Sequence, residues 1–165
     1  MIVLSVPHTG TRFACTYLDK LKVIYRQIHS EPHCVGDIRY ETGKAIIPVK
    51  DPILAFCSTF IRSNPLDFEK VLDRLVINYG LLMQMEDWFD FKYFRLDAKD
   101  QDAELEKIAN FCGKEKLSYK WEPIGNVNDT ATDYKVWGII KKDWGDSKID
   151  MVYRRLQTAC EHYGY

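Results

Sequence analysis

The chain has no long hydrophobic run, no excess of either charge, no paired cysteines and no repeated or low-complexity stretch. Each absence removes a class of protein. No apolar segment approaches the ~20 residues that a membrane-spanning helix needs. The apolar start at Ile2 has neither the basic leader nor the small-residue cleavage site of a secretion signal. With 23 Lys and Arg against 24 Asp and Glu, the formal net charge is −1, so the molecule as a whole offers no polycationic surface to nucleic acid or an anionic membrane. Any anion site must therefore be local, and the default expectation is a cytoplasmic protein with no nucleic-acid and no membrane partner. The five cysteines, Cys15, Cys34, Cys57, Cys112 and Cys160, are scattered and include no CxxC pair. Four fall in apolar-periodic segments, where a small buried thiol is the plain reading. Cys34, beside His33, is the exception; yet His29, His33 and Cys34 lack paired ligand spacing, and no metal site is expected.

What is present is enough apolar material, 46% of 165 residues, for one full core and too little length for two comfortable domains, so a single domain over 1–165 is expected. The stretch Ile2-Val3-Leu4-Ser5-Val6-Pro7-His8-Thr9-Gly10-Thr11-Arg12-Phe13 reads as strand, turn and helix start. The apolar, β-branched-rich run suits a buried strand, Pro7 ends it, and Gly10 lets the backbone curl so that amides near Thr11 face an anion at the positive end of a helix. The stretch has one glycine and no Lys-Ser/Thr pair, so it is not the GxxxxGK[ST] phosphate loop.

A first helix is expected from about Thr11 to Lys22, with Phe13, Tyr17, Leu18 and Leu21 at helical spacing, then a strand over Val23–Ile28 and a polar segment His29-Ser30-Glu31-Pro32-His33. Val35 to Lys44 reads as loop. A third strand, Ala45–Val49, runs into Lys50-Asp51-Pro52 and a helix from Ile53 to Arg62, for which Asp51 is a good N-cap and Pro52 a good first residue. A long helix follows from Asn64-Pro65 to about Phe89, with Val71, Leu75, Leu82 and Met85 on its apolar stripe. A strand over Phe91–Asp97 and a helix over Asp102–Cys112 come next. Lys114 to Trp144 reads as loop, with Lys141 and Lys142 a solvated basic pair, and Ser147 with Asp150 forms a capping box for the last helix. Alternating strands and helices define an α/β class: a mainly parallel sheet of about four to five strands with helices on both faces and ligand groups at the strands' carboxyl ends.

These residues resemble the sulfotransferases that use 3′-phosphoadenosine 5′-phosphosulfate (PAPS), which have a P-loop nucleotide-kinase-like fold. Pro7-His8-Thr9-Gly10-Thr11-Arg12-Phe13 stands in register with that family's phosphosulfate loop. Lys50-Asp51-Pro52 and Ser58, eight residues after Lys50, match its second signature. Phe91 to Asp97, followed by Glu104 to Gly113, is similar to its later strand and acidic helix, and His162-Tyr163-Gly164-Tyr165 to the end of many bacterial members. The chain departs from the pattern where His8 stands for the loop lysine and Lys50 for an arginine, and it is shorter than typical members.

The resemblance implies an enzyme that transfers a sulfuryl group from PAPS to an acceptor hydroxyl or amine on a small molecule or saccharide, releasing 3′,5′-adenosine bisphosphate. It implies that Thr9, Gly10 and Thr11 hold the 5′-phosphosulfate, that His8 or Arg12 neutralises the bridging oxygen, that Phe13 stacks on adenine, and that Lys50 and Ser58 take the 3′-phosphate. It places the general base at His29, with His33 as rival and Glu31 a weaker third. Two other classes stay open: a module that binds adenosine bisphosphate without catalysis, and a P-loop small-molecule kinase.

Overall fold

The computed structural model describes residues 1–7, 9–34, 43–62, 67–119 and 130–165. Strands β1 (Ile2–Ser5), β2 (Arg26–His29), β3 (Lys44–Val49) and β4 (Asp90–Arg95) form one sheet, all parallel, in the order β2-β1-β3-β4. Among the described residues the helices are α1 (Thr11–Lys20), α2 (Pro52–Arg62), α3 (Phe68–Glu86), α4 (Gln101–Phe111), α5 (Thr130–Asp143) and α6 (Asp146–Tyr163). The α/β class and the parallel sheet expected from the alternating pattern are thus present. No described helix is long and apolar enough to cross a membrane.

The chain divides into two compact units. The first, Met1–Lys50 with Asn78–Trp121, contains the whole sheet. Its two central strands differ from its outer ones as parallel sheets require: β1 buries all four residues and β3 all but Lys44, whereas β2 and β4 leave residues exposed. Helix α1 buries Phe13, Ala14, Tyr17 and Leu18 at one-turn spacing against Val3, Ile46 and Phe94 of the sheet, and each such large apolar side chain contributes about 1.5–3 kcal/mol. The buried Tyr17 hydroxyl donates to Leu105 O at 3.1 Å, which satisfies its polar atom and ties α1 to α4. Asp100 caps α4 by accepting from Ala103 N at 2.9 Å.

The second unit, Asp51–Ile77 with Glu122–Tyr165, is helical among its described residues. Asp51 Oδ1 accepts from Ile53 N at 2.8 Å, the expected cap of α2 with Pro52 first in the helix. Trp144 lies edge-on to Phe56, Phe60 and Phe68, with ring centroids 5.0 to 6.1 Å away, and Trp137 meets Tyr153 at 5.5 Å. Arg155 pairs with Asp73.

The structure corrects four details of the sequence reading. Strand β2 begins at Arg26 rather than Val23 and includes His29, because Ile2 pairs with Arg26 and Ser5 with His29. The first helix stops at Lys20, not Lys22, which takes a positive φ of 54°. The segment read as loop up to Trp144 contains α5, and its tryptophans 137 and 144 are packing groups. The Ser147 capping box does not form: α6 starts from Gly145, which has no side chain to cap it. The loop over 35–42, the helix start at Asn64-Pro65 and Trp121 lie outside the described residues.

Candidate functional site

In the order β2-β1-β3-β4 the chain leaves β1 toward one side of the sheet and leaves β3 toward the other. Open parallel sheets bind ligands at such a reversal, beyond the carboxyl ends of the two strands. Here those ends lead to the Gly10 turn after Ser5 and to Lys50 after Val49.

Gly10 has φ 94° and ψ 23°, a left-handed conformation that glycine alone adopts without strain. It is also pinned by space, since a β-carbon there would lie 1.7 Å from Leu96 Cδ1. As the N-cap of α1 it brings no side chain to the helix start, so the N-cap itself offers the first-turn amides no side-chain acceptor, and the helix dipole favours an anion there. Both threonine hydroxyls turn inward. Thr9 Oγ1 donates to Val6 O at 2.8 Å and Thr11 Oγ1 to Ser5 Oγ at 2.7 Å. The two threonine side chains therefore hold the shape of the turn rather than line its outer side.

A polar chain crosses the same face of the sheet. Ser5 and His29 are register partners on parallel strands, so their side chains share a face, and Gln27 joins them two residues back along β2. Ser5 Oγ lies 3.2 Å from His29 Nδ1, and Gln27 Nε2 lies 3.0 Å from His29 Nε2. The Cys15 thiol donates to Gln27 Oε1 at 3.5 Å, which orients the amide with its nitrogen toward the ring. In the neutral tautomer that suits this amide orientation, Nε2 is the acceptor and Nδ1 the donor toward Ser5 Oγ. Both ring nitrogens are engaged within the chain. Burial pushes the Cys15 thiol above its ordinary pKa, keeping it a neutral donor.

Of the other expected site residues, Arg12 is exposed on the first turn of α1 and free to meet a ligand from solvent. Phe13 is a core residue: its ring packs on Phe94 and stacks on Tyr119, each centroid 5.3 Å away, so an adenine would have to displace Tyr119. Lys50 is only 6% exposed, an unusual burial for a lysine, at the carboxyl end of a central strand. Ser58 is buried in α2; Lys50 belongs to the first unit and Ser58 to the second. His33 stands on an exposed turn after β2, with its Nε2 3.6 Å from Glu31 Oε2. Lys141 and Lys142 are exposed at the end of α5. His8 lies outside the described residues.

Sequence reading missed Gln27, because its role depends on strand register, and Asn78. Asn78 sits on the buried stripe of α3 with Leu75 and Leu82, 1% exposed, and neither amide atom has a hydrogen-bond partner among the described residues. A polar residue interrupting an apolar helical stripe was the available signal.

No protein-family model, curated protein or solved structure matches this chain.

Proposed function

We propose that this chain is a sulfotransferase of the P-loop type, transferring a sulfuryl group from PAPS to a hydroxyl or amine of a small-molecule or saccharide acceptor. The observation that supports it best is the pairing, at the reversal point of the sheet, of an uncapped helix start behind Gly10 with a buried cation, Lys50, on the neighbouring strand. Two positive features on adjacent strand ends suit a ligand with two separate phosphate positions.

When bound, the nucleotide supplies an activated sulfuryl group, whose bond to the phosphate oxygen breaks as a bond to the acceptor oxygen or nitrogen forms. The chain's part is positioning and charge. The first-turn amides of α1 hold the 5′-phosphosulfate, and Thr9 and Thr11 fix the turn through Val6 and Ser5. Arg12, the exposed cation on that turn, or His8, neutralises the departing oxygen. Lys50 provides the charge for the 3′-phosphate as a point cation rather than a fork. His29 takes the acceptor proton at Nε2 after the Gln27 amide swings away, a contribution of about 10²- to 10⁴-fold in rate.

A second reading, binding of adenosine bisphosphate without transfer, is favoured by the engagement of both His29 nitrogens. Calorimetry and a transfer assay separate the two. With 3′,5′-adenosine bisphosphate against 5′-AMP, the proposal expects clear preference for the bisphosphate, abolished in Lys50→Ala. Labelled PAPS with an acceptor panel should then show transfer that falls in His29→Ala. Bisphosphate preference without transfer to any acceptor selects the binding module; equal affinity for both nucleotides overturns both readings.

A further inference from the structure

The turn after β2 gathers three side chains of different metal-ligating chemistry. Glu31, His33 and Cys34 bring a carboxylate oxygen, an imidazole nitrogen and a thiol sulfur within 4.8 Å of one another. We propose that they form a binding site for a borderline-soft divalent cation, zinc(II) in the first instance, with water in the fourth position.

The backbone sets this grouping up. Cys34 N donates to Glu31 O at 2.8 Å, closing a turn with Pro32 and His33 at its centre, and Pro32 fixes its own φ. Glu31 N in turn donates to His29 O at 2.8 Å, fastening the start of the turn to the end of β2. In this turn the first, third and fourth residues bring their ligand atoms together, a spacing that metal motifs drawn from helices and CxxC knuckles do not anticipate.

The distances suit a tetrahedral shell. Zinc–nitrogen and zinc–oxygen bonds of about 2.0–2.2 Å at a tetrahedral angle separate two ligand atoms by about 3.4 Å, and a sulfur ligand at about 2.3 Å from the metal by slightly more. His33 Nε2 and Glu31 Oε2 are 3.6 Å apart, too long for a good hydrogen bond and close to that separation. Bringing the sulfur from within 4.8 Å to this spacing takes a shift of about 1 Å, within side-chain rotation on an exposed turn. The Glu31 side chain is 14% exposed and held, whereas His33 is 76% exposed and free to swing onto a metal. Carboxylate, imidazole and thiolate together favour zinc over magnesium or calcium, which take oxygen ligands.

The other thiols with partial exposure do not compete. Burial pushes the thiols of Cys112 and Cys160 up, the latter to about 11, which disfavours the thiolate a metal needs. The site goes beyond sulfuryl transfer and stands without it. If both hold, a metal on His33 removes that residue as a proton acceptor and leaves His29.

Cobalt(II) alone is the probe. The reduced full chain, first stripped with a chelator, is titrated with Co²⁺ and then with Zn²⁺. One cobalt per chain, with tetrahedral absorption and a thiolate-to-cobalt charge-transfer band that zinc abolishes, is the expected result. Cys34→Ser should remove the charge-transfer band, and His33→Ala should weaken cobalt binding about tenfold or more, with circular dichroism showing both variants folded. A six-coordinate cobalt spectrum, no saturable binding, or a charge-transfer band that survives Cys34→Ser overturns the proposal, leaving only the 3.6 Å contact between His33 and Glu31.

Discussion

Gly10 is held by two independent constraints, backbone conformation and the Leu96 side chain, and a double-mutant cycle separates them. In Gly10→Ala the left-handed φ of 94° costs about 1–2 kcal/mol, less about 0.4–1 kcal/mol that alanine returns by stiffening the unfolded chain. The new methyl would sit 1.7 Å from Leu96 Cδ1 and 2.8 Å from its Cγ, so the whole isobutyl group must rotate away from the core it packs on. Overpacking of this kind costs about 1–3 kcal/mol, giving a total loss of about 2–4 kcal/mol. Leu96→Ala alone should cost about 1–2 kcal/mol, at or below the low end for a buried leucine because the side chain is only half-buried. With Leu96 shortened the collision is gone, and Gly10→Ala should then cost only the net backbone strain of about 1 kcal/mol. The cycle is read from urea unfolding of the four proteins by circular dichroism and tryptophan fluorescence, with coincident transitions as the condition for a single free energy. A coupling of about 1–3 kcal/mol is expected, and additivity within about 0.5 kcal/mol would refute the contact.

Asn78→Leu keeps the branching of the side chain and removes an amide without partners among the described residues, so it should raise the urea midpoint by the equivalent of about 1–2 kcal/mol at unchanged slope; a lower midpoint would mean the amide is satisfied. Tyr93 has its hydroxyl pKa raised well above 10 by burial, by its 2.8 Å hydrogen bond to Glu86 and by that carboxylate's charge. The folded state therefore prefers the protonated phenol, its stability contribution is full below the unfolded pKa near 10, and it is lost as pH climbs above that value. Tyr93→Phe should flatten the alkaline fall in stability above pH 10, and an unchanged slope there would contradict the assignment. Alkylation at neutral pH with peptide mapping should modify Cys34 before Cys160, whose thiol burial pushes up to about 11, and before the fully buried Cys57; the reverse order would undo the argument from burial.

The local chemistry of the chain is written plainly where one residue decides it. Pro7 and Gly10 mark the exit from β1, Asp51 and Pro52 the entry to α2, and the Asp100-to-Gly113 stretch a capped and terminated helix. Helix α5 escaped because Gly138 breaks its interior and its solvent face carries Tyr134 and Ile139, so the buried Trp137 and Ile140 do not stand out as a stripe. What depends on register or on a turn was also hidden. Ser5 meets His29 only because β1 and β2 pair in one register, and Glu31 meets His33 and Cys34 only because Pro32 lies inside a closed turn. Phe13 was legible as apolar and aromatic, but whether its ring faced a nucleotide or the core was decided by Tyr119, more than a hundred residues along the chain.

The first unit is interrupted in sequence by residues 51–77, and that order matters while the chain is being synthesised. Strand β3 has β1 as a neighbour at once, but its other edge stays open until Asp90 has been made. Phe56, Phe60 and Phe68 wait longer still, because Trp144, the ring they pack on, is made only after β4 and α4. A nascent chain that has emerged from the ribosome to about residue 120 would carry a completed sheet and an apolar helical surface without its partner. That intermediate is the form most in need of a chaperone, and the point at which overproduction would lose material to aggregation.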